Sequence, residues 1–305
     1  MQHNRRTFDP LNRRQWLGAT LATIASATLG DSAQSAADKA KFRDIPPWTL
    51  YAFDNGLNGP DVPTIDSKAA LLKKLGYTGM TDHFNANRLP QVLEALDQHG
   101  LEFASLYYTP KVDEDIDPKL RDAIALLKGR RARIEIGFMS KQFKPSDPAA
   151  DARAVDSLKR VADWCADTGP VISIYPHRGF WTERTEDGVR LAQKTGLKTI
   201  GTNLNLVHWK WVPQTRPFAA LVAEALPHLK LVTINGLDTP NKDAIVSLAD
   251  GDFDVAGWLA TIKQAGYSCP IGLQCYSIKG PSEMHLSRSM EKWREIRKQL
   301  ALSTC

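Results

Sequence analysis

Three histidines stand within three residues of the ends of short, β-rich apolar runs: His83 behind 77–82, His177 behind 171–175 and His208 behind 198–205. An imidazole titrates near neutral pH, so it can give or take a proton in a reaction. His177 and His208 are therefore the candidate catalytic residues, acting as general acid or base. Asp82 beside His83 offers a second acid/base pair. The same run ends carry Tyr175, Asn205, Asn235 and Gln274. Amides at such positions orient hydroxyl groups or stabilise an oxyanion. Trp209, with Trp181 and Trp211 nearby, supplies aromatic faces of the kind that stack on the apolar face of a sugar ring. Together these residue types suit a neutral carbohydrate or polyol. The candidate substrate contacts are Tyr175, Asn205, Asn235, Gln274, Asp82, His83 and Trp209. By contrast, His99, His228 and His285 fall on or near helical patterns and read as surface residues.

The elements that must carry these side chains alternate along the chain. Apolar runs with strand character cover 48–53, 77–82, 101–107, 133–138, 171–175, 198–205, 231–235 and 270–275. Between them, helical spacing covers 67–75, 89–99, 152–166, 185–194, 218–226 and 255–265. Strands joined by single helices pair in parallel, because a parallel crossover needs a long connection. Eight such units predict an α/β fold, a closed (β/α)8 TIM barrel. No GxGxxG follows the first strand, which argues against an open doubly wound sheet. Gly76, Gly100, Gly196 and Gly266 each stand between a helical pattern and the next strand, where a left-handed C-cap is expected. A basic, amphipathic helix around 290–300 is expected to pack on the barrel. In such a barrel, functional groups collect at the C-terminal strand ends, which is where the histidines and amides stand.

Residues 1–37 read as an address. Arg13-Arg14 precede a short, weakly apolar run, and Ser35-Ala36-Ala37 offer a cleavage site. The run is too short to span a bilayer, and the pattern resembles a twin-arginine export signal. The expected division is thus a signal peptide over 1–37 and one barrel domain over 38–305. The twin-arginine export machinery is the implied partner, with a periplasmic or extracellular destination and no stable membrane insertion after signal removal. The formal net charge is +5, and the leader contributes +2 of it, so the remainder is nearly neutral. No basic stripe interleaved with aromatics appears, which speaks against nucleic acid. The cysteines Cys165, Cys269, Cys275 and Cys305 form no CxxC pair and are expected to be free thiols.

Several segments resemble the xylose isomerase-like family of sugar isomerases and epimerases. ISIYPH at 172–177 with TEDGVRLA at 185–192 is similar to the family's fifth βα unit. TNLNLVH at 202–208 is similar to its sixth strand. ADGDFD at 249–254, Gly266-Tyr267 and PIGLQ at 270–274 are similar to its last helix and strand, and LGYTG at 75–79 to its second-strand entry. The resemblance implies a barrel that binds a divalent cation through carboxylates and a histidine at the ends of strands five to eight. Carried over by position, the strand-five glutamate falls on Tyr175 and the strand-six aspartate on Asn205. The strand-seven histidine falls on Asn235, with Asp238 keeping the later acidic position, and the strand-eight glutamate falls on Gln274. His208 matches the histidine that follows the strand-six aspartate.

Those ligand positions carry no formal charge. A hard divalent cation needs anionic oxygen to offset its lost hydration, so no tightly bound metal is expected at the usual place. A weak or displaced divalent cation would have to draw on Asp82, His83, Glu135 or Asp238. Two functions follow. One is an exported isomerase- or epimerase-like enzyme with histidine acid/base chemistry. The other is a non-catalytic carbohydrate-binding protein on the same barrel. No Gly-rich phosphate cradle follows strand seven, so the expected sugar is unphosphorylated.

Overall fold

The structure, a computed structural model, describes residues 48–301, so the expected leader at 1–37, the start of the barrel domain at 38 and Cys305 lie outside the described residues. Eight parallel strands close into a barrel: β1 (Leu50–Phe53), β2 (Gly79–His83), β3 (Glu102–Tyr108), β4 (Arg133–Ile136), β5 (Val171–Ile174), β6 (Ile200–Asn205), β7 (Leu229–Ile234) and β10 (Ile271–Leu273). Each neighbours the next in chain order, and β10 closes on β1 through the pairs Leu50 with Ile271 and Ala52 with Leu273. The expected fold class is borne out.

The helices around the barrel are α1 (Ile65–Leu75), α2 (Leu89–Gln98), α3 (Lys119–Leu126), α4 (Asp151–Cys165), α5 (Thr185–Thr195), α6 (Leu206–Trp211), α7 (Phe218–Ala225), α8 (Val255–Gln264) and α9 (Ser282–Gln299). The capping glycines behave as their position demands, with φ of 89° at Gly76, 63° at Gly100, 70° at Gly196 and 102° at Gly266. Helix α9 starts earlier than expected and buries Leu286, Met290, Trp293 and Ile296 along one stripe. His285 on that helix is buried, and its Nε2 lies 3.0 Å from the Gly56 carbonyl oxygen, so the expectation of a surface residue is corrected. The described cysteines Cys165, Cys269 and Cys275 are free.

Three elements were not expected. Helix α3 buries Leu120, Ala123 and Ile124 at helical spacing, but the run is short and begins behind Pro118. Helix α6 springs directly from β6. A small antiparallel hairpin of β8 (Gly236–Asp238) and β9 (Ala244–Val246) follows β7 and stands beside the barrel mouth.

Apolar side chains fill the layer between strands and helices, and a separate apolar cluster of Tyr51, Phe53, Ala104, Tyr107, Tyr175 and Leu231 occupies the barrel interior. Gly272 keeps this inner cluster possible, because a Cβ there would lie 2.7 Å from the Tyr51 hydroxyl. A chain of polar groups crosses the interior at the level of Tyr51. Thr81 and Ser105 hydroxyls lie 2.5 Å apart, Ser105 donates to Glu135, and Asn203 Nδ2 donates to Glu135 Oε2 at 2.9 Å.

Glu135 is fully buried in that chain, and burial pushes its carboxyl up to about 7 against the two hydrogen bonds that lower it. A carboxyl whose folded pKa is raised favours the protonated form, so stability falls as pH rises from about 4.5 to about 7. Glu135→Gln keeps the size and the acceptor while removing the ionisation. At roughly 1.4 kcal/mol per pKa unit, the variant should gain a few kcal/mol over the native protein at pH 8. It should gain nothing near pH 4. Urea denaturation at the two pH values checks this, and an equal effect at both would show that ionisation of Glu135 is not the cause.

Candidate active site

A cavity of about 580 Å³ opens at the C-terminal ends of the strands. Its lining comes from the ends of β1, β2, β3, β5, β6 and β10, together with Ile245 of the hairpin. Tyr175 is central. Its ring meets Tyr107 edge-on at 4.8 Å and His208 edge-on at 5.8 Å, and it is almost wholly buried. Strand periodicity places it here: Ser173 and Tyr175 alternate with Ile172 and Ile174, which join the outer core.

The amides at the carried-over metal positions serve this phenol. Asn205 donates through Nδ2 to the Tyr175 hydroxyl at 2.7 Å, and Gln274 donates through Nε2 at 3.4 Å. Asn205 Oδ1 accepts from the His208 backbone N–H at 3.2 Å, the N-cap bond that starts α6. Gln274 Oε1 accepts from Asn55 Nδ2 and, at 3.1 Å, from the Tyr276 backbone N–H. Asn235 donates to the Gly236 carbonyl at 2.8 Å and leaves its own Oδ1 buried without a protein partner. Burial holds the Tyr175 phenol well above its ordinary pKa, so the oxygen at the centre of this group is neutral. Among the described residues, no group of three or more His, Cys, Asp or Glu side chains stands in position to hold a metal ion.

One wall carries a histidine pair. The His177 and His208 rings are 4.0 Å apart, and Phe180 stacks on His177 at 4.0 Å. His177 Nδ1 lies 2.8 Å from the Arg178 carbonyl, which only accepts, so Nδ1 carries the proton and Nε2 holds a lone pair. His208 is the reverse. Its Nδ1 accepts from the Arg178 backbone N–H at 3.4 Å, so Nε2 carries the proton, and that atom is buried without a protein partner. Burial lowers the pKa of both rings, that of His208 strongly, with a further push from His177. Both are neutral at pH 7.

A different wall carries His83 and Asp54. Asp54 opens the one-turn segment after β1, and its carboxylate lies 2.7 Å from His83 Nδ1. That hydrogen bond raises the His83 pKa above its ordinary value, with the nearby charge adding to it. His83 is half exposed to the cavity side, so its Nε2–H is an available acid.

Several expectations are corrected by position. Asp82 does not enter the cavity. Adjacent strand residues point to opposite faces, so Asp82 turns away from His83 and binds Arg88, which also lies 3.6 Å from Asp54. Burial raises the Asp82 carboxyl to about 6, ahead of the effect of Asp54 and against that of Arg88. Trp209 also points away, packing on Phe218 at 4.8 Å and near Trp258 at 6.2 Å. On α6, residues three apart share a face, so His208 and Trp211 line the cavity together at 5.6 Å. Asn205 and Asn235 are not part of the cavity lining; Asn205 positions Tyr175. Trp181 is buried against Phe138 and donates to the Asp147 carbonyl at 2.8 Å. Glu135 sits below the cavity, and Asp238 belongs to the hairpin. The structure adds Asp54, Asn55, Tyr107, Phe180 and Trp211 to the site.

Residues 69–296 match the family model described as xylose isomerase-like TIM barrel. No curated protein matches the sequence. Among solved structures, the chain is similar to a D-allulose 3-epimerase from Methylomonas sp. in complex with D-allulose. They share 17% identity over 82% of this chain and 98% of that one, with a TM-score of 0.66. A 3-keto-D-glucoside 4-epimerase from E. coli shares 15% identity over 82% of this chain and 99% of that one, at a TM-score of 0.65. A xylose isomerase-like TIM barrel protein from Mycobacterium smegmatis, in complex with magnesium, shares 17% identity over 84% and 98%, at 0.62. At such identities these structures speak for the fold.

Proposed function

This chain belongs to the xylose isomerase-like TIM barrel family, and from that premise we propose that it is an exported isomerase or epimerase acting on a carbonyl-bearing carbohydrate by histidine acid/base chemistry. The observation that carries the reading is His208 Nε2, a buried N–H without a protein acceptor on the wall of the cavity. A buried donor left without a partner costs about 1–3 kcal/mol, and a small turn of the ring toward the cavity would let a sugar oxygen supply the missing acceptor. The names of two structural relatives, both sugar epimerases, support the substrate class.

The three imidazoles divide the work. His177, neutral with its Nε2 lone pair unused, removes a proton from a carbon next to a carbonyl. The electron pair left behind moves onto the carbonyl oxygen, where His208 Nε2–H stabilises the developing charge. His83, whose pKa the Asp54 hydrogen bond raises, returns a proton to the intermediate. Base and acid lie on different elements around one cavity, as a change of configuration at carbon requires.

The residues at the family's metal positions do not fit a hard divalent cation. Tyr175, Asn205, Asn235 and Gln274 bring no anionic oxygen, and Asn205 and Gln274 are already committed to the phenol. The reading therefore includes no tightly bound metal. It also places the mature protein in the periplasm or outside the cell, delivered by the twin-arginine machinery through the leader at 1–37. No helix among the described residues is long and apolar enough to cross a membrane.

The test is proton exchange. The purified protein is incubated with a panel of ketoses, aldoses and 3-keto sugars in D2O and followed by NMR. Turnover predicts deuterium at one carbon of the substrate and of its product. Sugar binding with no exchange at any carbon would replace the enzyme by a non-catalytic carbohydrate-binding protein.

A further inference from the structure

The cavity is larger than one sugar ring. At about 30 Å³ per water, 580 Å³ holds roughly nineteen waters, whereas a hexose has about a dozen non-hydrogen atoms. The buried His208 and Tyr175 form the inner part. The outer part includes Tyr276, which lines the cavity yet is 62% exposed. Of the four large apolar side chains that stand so far out among the described residues, it alone is aromatic and at the cavity.

Its backbone is built to put it there. Cys275 and Ile278 close a turn, with the Ile278 N–H donating to the Cys275 carbonyl at 3.3 Å. Ser277, inside that turn, has φ of 67°, a left-handed conformation that residues other than glycine adopt at a cost. Gln274 holds the preceding N–H through its Oε1. Thus the amide that orients Tyr175 in the inner part also anchors the turn presenting Tyr276 at the rim. Asn58 and Ser277 add polar side chains to the lining of the same cavity.

Resting on the carbohydrate reading above, we infer that the substrate is a two-ring glycoside, with one ring at the histidines and the second stacked on Tyr276 at the rim. An exposed aromatic face suits the apolar face of a pyranose, and the amide and hydroxyl of the same cavity suit its edge.

Calorimetric titration tests this with D-glucose and D-galactose against maltose, cellobiose and lactose, on the mature chain. At least one disaccharide should bind about tenfold tighter than its own monosaccharide, the gain of one stacked face. Tyr276→Ala should remove that difference and leave monosaccharide affinity unchanged, while Tyr276→Phe should keep it. If no disaccharide binds better than its monosaccharide, or if Tyr276→Ala weakens both equally, the second-ring site is wrong and the carbohydrate reading survives. If no sugar of either kind binds, both fall.

Discussion

His208→Ala is expected to lower kcat by about 10²- to 10³-fold while leaving KM within a few-fold, because the lost N–H acts mainly on charge that develops in the transition state. The ring sits on the first turn of α6, and its backbone N–H, not its side chain, receives the Asn205 cap, so the helix start survives the truncation. Thermal unfolding should confirm a folded variant. His177→Ala removes the base and should cost about 10²- to 10⁴-fold. The two rings are 4.0 Å apart and serve one step, so the double variant should be little worse than the poorer single one. Steady-state kinetics of the three variants decide it. Losses that multiply would mean that the histidines act in separate steps, and unchanged turnover in either single variant would remove that residue from the mechanism.

Asp54→Asn is expected to move one side of the pH profile and not the other. His177 must be neutral to accept a proton, and burial lowers its pKa below the usual 6.5. Activity therefore rises as pH climbs through a value under 6.5. His83 must be protonated to donate, and the Asp54 hydrogen bond raises its pKa above 6.5. Activity is therefore lost again as pH climbs through a value above 6.5, giving a bell in kcat/KM. The amide weakens the hydrogen bond that is the largest cause of the raised pKa and removes the charge that adds to it, so the alkaline limb shifts to lower pH and the plateau narrows. The acid limb stays in place. An alkaline limb that does not move would free His83 from its assigned role. Asp82→Asn is a useful contrast: Asp82 lies outside the cavity bound to Arg88, and its charge raises the His83 pKa less than either effect of Asp54, so its effect on the alkaline limb should be the smaller one.

The barrel was legible because its signals are local. Alternating apolar runs, helical stripes and the glycines at 76, 100, 196 and 266 each declare an element within a few residues. The strand-end rule then led to Tyr175, His177, His208 and Gln274, all of which line the cavity. What escaped was side-chain direction and pairing across distance. Asp82 looked like the partner of His83 because they are neighbours in sequence, yet neighbours on a strand face opposite ways. The true partner, Asp54, is 29 residues away and meets His83 only because β1 and β2 lie side by side. Sequence order alone does not separate Trp209 from Trp211; the helix that begins at Leu206 turns residue 209 outward and residue 211 to the cavity. Asn205 stands at its strand end as expected, but its side chain is buried, held between the Tyr175 hydroxyl and the His208 N–H that starts α6, and it does not line the cavity. Those partners are 30 residues back in the chain and on a helix that the local pattern did not announce.

The central claim is a sugar site that works without a tightly bound divalent cation, and elemental analysis coupled to sugar titration tests it most directly. The purified mature protein is assayed for divalent metals, then titrated with the best-bound sugar of the panel in EDTA and again in Mn²⁺. The account predicts metal well below one equivalent and the same affinity and turnover in both buffers. One equivalent of a retained divalent metal, or sugar binding that appears only with Mn²⁺, would contradict it.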